Sequence, residues 1–300
     1  MADKQLSNWG KWGANDQRGT LNYVTPYKVK QAIRLVKKGQ VYSLACVLGG
    51  DGPYHIGSIR KQPWRFTAIA KLNTSRRSVG FAEDMLAMST HSGTHIDALC
   101  HVWYNDRLYN GFSSNVIEAM GASKNSIENV KSLVGRGIML DVAGNKQVKH
   151  LNKGYAVTPQ DLEDCLEAEG LKTKPGDIIL VRTGWMQVYH EEGVIAFQGG
   201  VGMENYAAPG LSYHVARWLH QKQTCAVGLD NWGCEVFPPE LPGHFLRFHQ
   251  IFLRDMGGYV MESLVLDELA QNKVYEFLFV AAPLQVSCGV GSPLNPLAIV

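Results

Sequence analysis

Val29, Ala32, Ile33 and Val36 recur at helical spacing after Pro26, and Gly39 follows as a stop signal, so the pattern predicts a helix over 26–38. Val41–Leu48 reads as a strand, and so does the short apolar run Gly137–Ala143. Thr158-Pro-Gln-Asp161 has the form of a helix start: Thr as N-cap, Pro at the first helical position and an acid three residues after the cap. That helix carries Leu162, Cys165 and Leu166 and stops near Gly170; Pro175-Gly176 then turns the chain into a strand over 177–182. The pattern further predicts helices over 212–221 and 245–256, and strands over 224–229 and 274–282. Mixed strands and helices, alternating in part, indicate an α/β or α+β class. Gly199–Gly202 and Cys288–Gly291 lack the G-x-G-x-x-G spacing of a dinucleotide site and read as turn or pocket glycines. No repeat, low-complexity tract or linker divides the chain, so one domain is expected across 1–300, with 1–40 as an N-terminal arm and helix.

Composition narrows the function by exclusion. Hydrophobic residues at 45% and charged residues at 19% describe an ordinary globular chain. A net charge of +2 without a basic run gives no nucleic-acid footprint. No stretch approaches the ~18 apolar residues of a membrane span, and the polar N-terminus lacks the apolar core of a secretory signal. The six cysteines form no Cys-x-x-Cys pair, which argues against a zinc ribbon or a disulfide framework. They read as reduced and mostly buried, which implies a cytoplasmic protein.

The candidate chemistry is concentrated in Ser89-Thr-His-Ser-Gly-Thr-His-Ile-Asp-Ala-Leu-Cys-His101. His91, His95 and Asp97 are imidazole and carboxylate donors suited to Zn²⁺ or Mn²⁺, and three protein ligands leave a position open for water. His91 and His95 would share a helix face, whereas His95 and Asp97 share a strand face, so the spacing suits a tight loop entering a strand, with Gly93 allowing the bend. Isolated structural histidines of a polar loop are the competing reading. Cys100 sits in an apolar stretch and reads as a small buried hydrophobe, Thr94 as a backbone-bonding residue. Without a Gly-x-Ser-x-Gly elbow a serine hydrolase is disfavoured. Trp9, Trp12, Trp64, Trp103 and Tyr104 are candidates for an aromatic substrate wall, Trp103 and Tyr104 foremost because they follow the motif.

His-x-Gly-Thr-His-x-Asp-x-x-x-His resembles the signature of the cyclase family of metal-dependent hydrolases, which includes bacterial kynurenine formamidase and isatin hydrolase. Asn8-Trp-Gly10, Gly19-Thr-Leu-Asn22, Pro175–Gly184, Gly228-Leu-Asp230 and Gly291-Ser-Pro293 resemble further landmarks of its longer members. The resemblance implies a swivelling β/β/α fold with mixed sheets and flanking helices. It implies one metal on His91, His95 and Asp97, and a second on Asp97 with His249 and Glu262, thirteen residues apart where shorter members have twelve. His244 is the competitor to His249. It further implies a proton-transfer role for His101, whose alternative is to orient Asp97, and a dimer or tetramer acting on a small molecule, aromatic ones included. The expected reaction is hydrolysis of an amide, formamide, lactam or lactone. Metal-dependent ring closure and a non-catalytic metal-binding scaffold are the alternatives.

Overall fold

Ile178–Arg182 is buried along its whole length, as a strand covered on both faces must be. It lies at the centre of a nine-stranded mixed sheet in a computed structural model that describes residues 6–49, 53, 60–74 and 77–300. The first five residues, part of the polar N-terminus considered above, lie outside the described residues. The strands are β1 (Val41–Ser43), β2 (Trp64–Thr74), β3 (Arg77–Ala87), β4 (His95–Asp97), β5 (Leu133–Asp141), β6 (Ile178–Arg182), β7 (Ala226–Leu229), β8 (Tyr259–Glu262), β9 (Glu276–Ala281), β10 (Gly291–Pro293) and β11 (Leu297–Ile299). Four further strands of two residues pair outside the main sheet.

The main sheet runs β1-β11-β9-β5-β6-β7-β8-β4-β10. Its centre, β5-β6-β7-β8, is parallel, and every other pairing is antiparallel. Helices α1 (Pro26–Ile33) and α2 (Pro159–Ala168) pack against β5. The Thr158 hydroxyl accepts from the Asp161 N–H at 3.2 Å and the Asp161 carboxylate accepts from the Thr158 N–H at 2.8 Å, so the reciprocal cap expected at this start is formed. β2 and β3 form a separate two-stranded hairpin.

Several elements depart from the sequence reading. The first helix ends at Ile33 rather than 38. β1 stops at Ser43, because the chain turns so that the Cys46 N–H donates to Thr94 Oγ1 at 2.8 Å. The helix expected over 245–256 is three α-helical residues, Arg247–His249, followed by a π-helical turn over Gln250–Asp255. Leu246 has φ +55°, which delays the start, and the Gly257-Gly258 pair ends the turn. Two distant landmarks are joined: the Asp230 carboxylate, just past β7, accepts the Thr183 and Gly184 N–H groups at 2.9 and 2.7 Å. Among the described residues no helix is long and apolar enough to cross a membrane, and all six cysteines are free.

Candidate metal centre

Residues 89–94 form a turn, with Gly93 at φ +65°, that delivers the chain into β4. His95 and Asp97, two apart on a strand, point to one face. Pairing with β8 sets His95 opposite Glu262, and pairing with β10 sets Asp97 opposite Gly291. Glu262 is the last residue of parallel strand β8, at the carboxyl edge where α/β sheets hold their ligands. His249 arrives from the short α-helical turn that precedes the π-helical segment.

These side chains converge. His91 Nε2 lies 3.3 Å from Asp97 Oδ1, and His95 Nε2 lies 3.7 Å from the same oxygen. The other Asp97 oxygen is 3.6 Å from His249 Nε2. Glu262 spans the same gap, with Oε2 3.2 Å from His95 Nε2 and Oε1 3.4 Å from His249 Nε2. Donors sharing a tetrahedral ion at ~2.1 Å stand about 3.4 Å apart, so these separations fit a cation among them. Asp97 offers one oxygen to the His91–His95 side and the other to His249, the arrangement a bridging carboxylate needs. His91, Asp97 and His101 group together, as do Asp97, His249 and Glu262, each set with its ligand atoms within 4.8 Å. His91 Nε2, His95 Nε2 and both Asp97 carboxylate oxygens are buried with no hydrogen-bond partner. Buried polar atoms are almost always paired, so four convergent orphans fit a bound cation.

The surrounding bonds fix which lone pairs face inward. His95 Nδ1–H donates to the Gly93 carbonyl at 2.8 Å, leaving Nε2 as the acceptor-side nitrogen. His249 Nδ1–H donates to the Glu235 carboxylate at 2.5 Å, and the same carboxylate accepts the Phe248 and His249 N–H groups at 3.3 and 3.2 Å. Thr94 Oγ1 donates to the Ser263 carbonyl at 2.5 Å, tying the motif to the end of β8. A Cβ at Gly291 would lie 2.5 Å from His91 Nε2, so that position must lack a side chain for His91 to occupy its place.

Charge distribution follows from burial and neighbours. Burial, with His101 beside it, holds His91 well below the usual imidazole range. Burial also lowers His101, against the opposing pull of Asp97. Burial would lower His249 too, but Asp97, Glu235 and Glu262 more than offset it and raise it well above its ordinary value. Asp97 and Glu262 both lie below the ordinary carboxylate range because the histidines outweigh their burial.

The other sequence candidates separate clearly. His101 stacks on His91 with ring centroids 4.0 Å apart. His244 is exposed on a turn, its N–H donating to the Leu241 carbonyl at 3.0 Å. Burial pushes the Cys100 thiol up to about 12, consistent with a packing role. The expected aromatic wall is corrected. Trp103 is partly exposed to solvent, and Tyr104 donates its hydroxyl to Asp255 while its ring packs against Arg254. Trp9 also packs against Arg254, Trp12 packs on Tyr23, and Trp64 is on the hairpin. Phe197 and Trp232 border His91 and His95 instead, together with Pro53, Arg60 and Ser263. Sequence reasoning missed Phe197, Trp232 and Glu235, which carry no motif spacing to reveal them.

Residues 27–236 match the sequence model of the Cyclase family. Isatin hydrolase from Roseibium aggregatum is 25% identical over 227 residues, covering 73% of this chain and 75% of that protein. A crystal structure of a novel cyclase shares 34% identity with TM-score 0.87, covering 99% of this chain and 98% of that one. An isatin hydrolase bound to the product analogue thioisatinate has TM-score 0.62 at 20% identity, over 92% of this chain and 99% of that one. A predicted metal-dependent hydrolase from Bacillus stearothermophilus has TM-score 0.54 at 23% identity, over 86% and 97%. The last two are alike in fold.

Proposed function

The chain belongs to the Cyclase family, and from that premise we propose that it is a metal-dependent hydrolase of a small amide, formamide, lactam or lactone, with a carbon–nitrogen bond favoured over an ester. The observation that carries this is the set of four buried, unpartnered donor atoms on His91, His95 and Asp97, facing His249 and Glu262. Imidazole and carboxylate donors suit Zn²⁺ or Mn²⁺, as one or two ions. A cation held there supplies Lewis acidity, polarising a carbonyl and bringing a water's pKa toward neutrality.

The chain's own residues do the rest. The Gly93 carbonyl and the Glu235 carboxylate take the Nδ1–H of His95 and His249 and so turn Nε2 of each ring toward the other candidate donors. We assign to His101, whose charge burial disfavours and which stacks beside His91, the role of accepting a proton from the attacking water and returning it to the leaving group. Phe197 and Trp232 line the space beside His91 and His95, which supports an apolar group on the substrate. The isatin hydrolase relative supports a small cyclic amide among the candidates. We read the whole of 1–300 as one domain, assembling as a dimer or tetramer, and the six free cysteines as those of a cytoplasmic protein.

The test is to strip the protein of metal and restore Zn²⁺ or Mn²⁺ in the presence of N-formylkynurenine, isatin, simple lactams and lactones. Metal-dependent acid release from any of them is the expected result. Tight metal binding with no turnover of any would turn the assignment toward ring closure or a scaffold.

A further inference from the structure

Arg60 is the one residue of permanent charge among the described residues that border the space beside His91 and His95. Its Nη1 stands 3.4 Å from Glu262 Oε2 and 3.4 Å from the Trp232 carbonyl. Both contacts are long for a guanidinium, whose bonds to carboxylates close to about 2.7–2.9 Å. Pairs that brace this fold are tighter: Arg182 meets Asp141 at 2.9 Å and Asp267 at 2.7 Å, and Arg136 meets Asp177 at 2.7 Å. Glu262 already has an imidazole near each oxygen, His95 at 3.2 Å and His249 at 3.4 Å. Arg60 therefore adds little to holding Glu262, and its side chain keeps 21% exposure where Glu262 has 2%.

The guanidinium stands where the apolar wall meets the donors. Burial is the first cause that lowers His91 and His101, and Arg60 adds to it in both; burial raises Tyr206, and Arg60 opposes that rise. Tyr206 in turn sets its ring edge-on to Trp232, with centroids 5.2 Å apart. Keeping a fixed positive charge 3.4 Å from a carboxylate that serves a cation is costly, because like charges repel strongly in a buried site. A negative group lying against Arg60 offsets that cost. A neutral amide supplies none, whereas a carboxylate accepts two parallel N–H bonds from a guanidinium.

Resting on the hydrolase reading above, we propose that Arg60 selects substrates bearing a carboxylate close to the scissile bond and binds that carboxylate. The ligand class is a small amide or lactam with one acidic group and an apolar body, which Phe197 and Trp232 adjoin. Arg60 is then a specificity residue: it touches the substrate and takes no part in moving the proton.

Calorimetric titration of the Zn²⁺-loaded full chain tests this with two matched pairs, N-formylanthranilate against formanilide and 5-oxoproline against 2-pyrrolidinone. Within each pair only a carboxylate differs. Affinity is read as Kd, or as KM where the compound turns over. The parent is expected to hold the acid of at least one pair about tenfold or more tighter than its neutral partner. Arg60→Gln, which loses the charged fork, should bring that ratio to within about threefold of unity at parental zinc content. No preference in the parent, or a preference that survives Arg60→Gln, overturns the proposal and leaves the hydrolase reading standing. Zinc lost together with the preference also overturns it, by making Arg60 a support for Glu262. Turnover is not needed for these readings, so zinc-dependent binding of the acids without their hydrolysis defeats the hydrolase reading and leaves Arg60 as the residue that binds the carboxylate.

Discussion

Burying a polar atom without a partner costs about 1–3 kcal/mol, and the motif leaves four such atoms within one small volume. The arrangement is sustainable when a cation supplies what hydrogen bonds do not, and the residues that aim those atoms become the ones to test. His101→Ala should lower kcat by about 10²–10⁴ while metal content per chain stays constant; unchanged turnover would remove His101 from proton transfer. Gly291→Ala drives a methyl into the space of His91 Nε2, so metal affinity, measured by competition with a chelating dye, should weaken by about tenfold or more. An unchanged Kd would mean that His91 is not a ligand. The contiguous motif residues were legible because loop and strand spacing act over a few positions. Glu235 was not, since it meets His249 through tertiary packing and no spacing connects them.

Helix and strand boundaries tell a similar story one level up. The start of α2 was legible because a cap is a local chemical event, confined to Thr158-Pro-Gln-Asp161. Thr158→Ala should therefore cost about 1 kcal/mol of stability in urea unfolding, and no loss would show that the cap is redundant. Asp161 lies below its ordinary range: burial opposes its charge, but Lys146 and the Thr158 N–H and hydroxyl more than offset this. A carboxylate lowered on folding stabilises fully above its unfolded value of about 3.9 and loses that contribution as pH falls through the lower folded value. Asp161→Asn should accordingly flatten the fall of the urea midpoint below about pH 4, and an unaltered acid limb would contradict the assignment. The turn after His249 was misread because apolar spacing does not distinguish an α-helix from a π-helical turn. Chain strain at Leu246 and packing at Gly257-Gly258 decided it.

For the molecule as a whole, the candidate site is assembled from β4, β8, β10 and the His249 turn and exists only when the sheet is complete, so the proposed metal binding predicts a link to folding. Chelation should lower the thermal midpoint as well as abolish activity, and restoring the ion at 100 times its Kd should return about 2.7 kcal/mol of stability. A midpoint indifferent to both chelator and added Zn²⁺ or Mn²⁺ would break the link. From local order alone the chain specified a mixed α/β class, the cap at Thr158, several of its strands, and the candidate donors His91, His95 and Asp97, all properties that neighbouring residues settle between themselves. Tertiary structure decided that His95 faces Glu262, that Asp97 faces Gly291, and that Phe197 and Trp232, rather than Trp103 and Tyr104, border the donors. Side-chain periodicity says which face of a strand is buried. Which distant strand lies beside it is set by hydrogen-bond pairing and packing across the whole sheet.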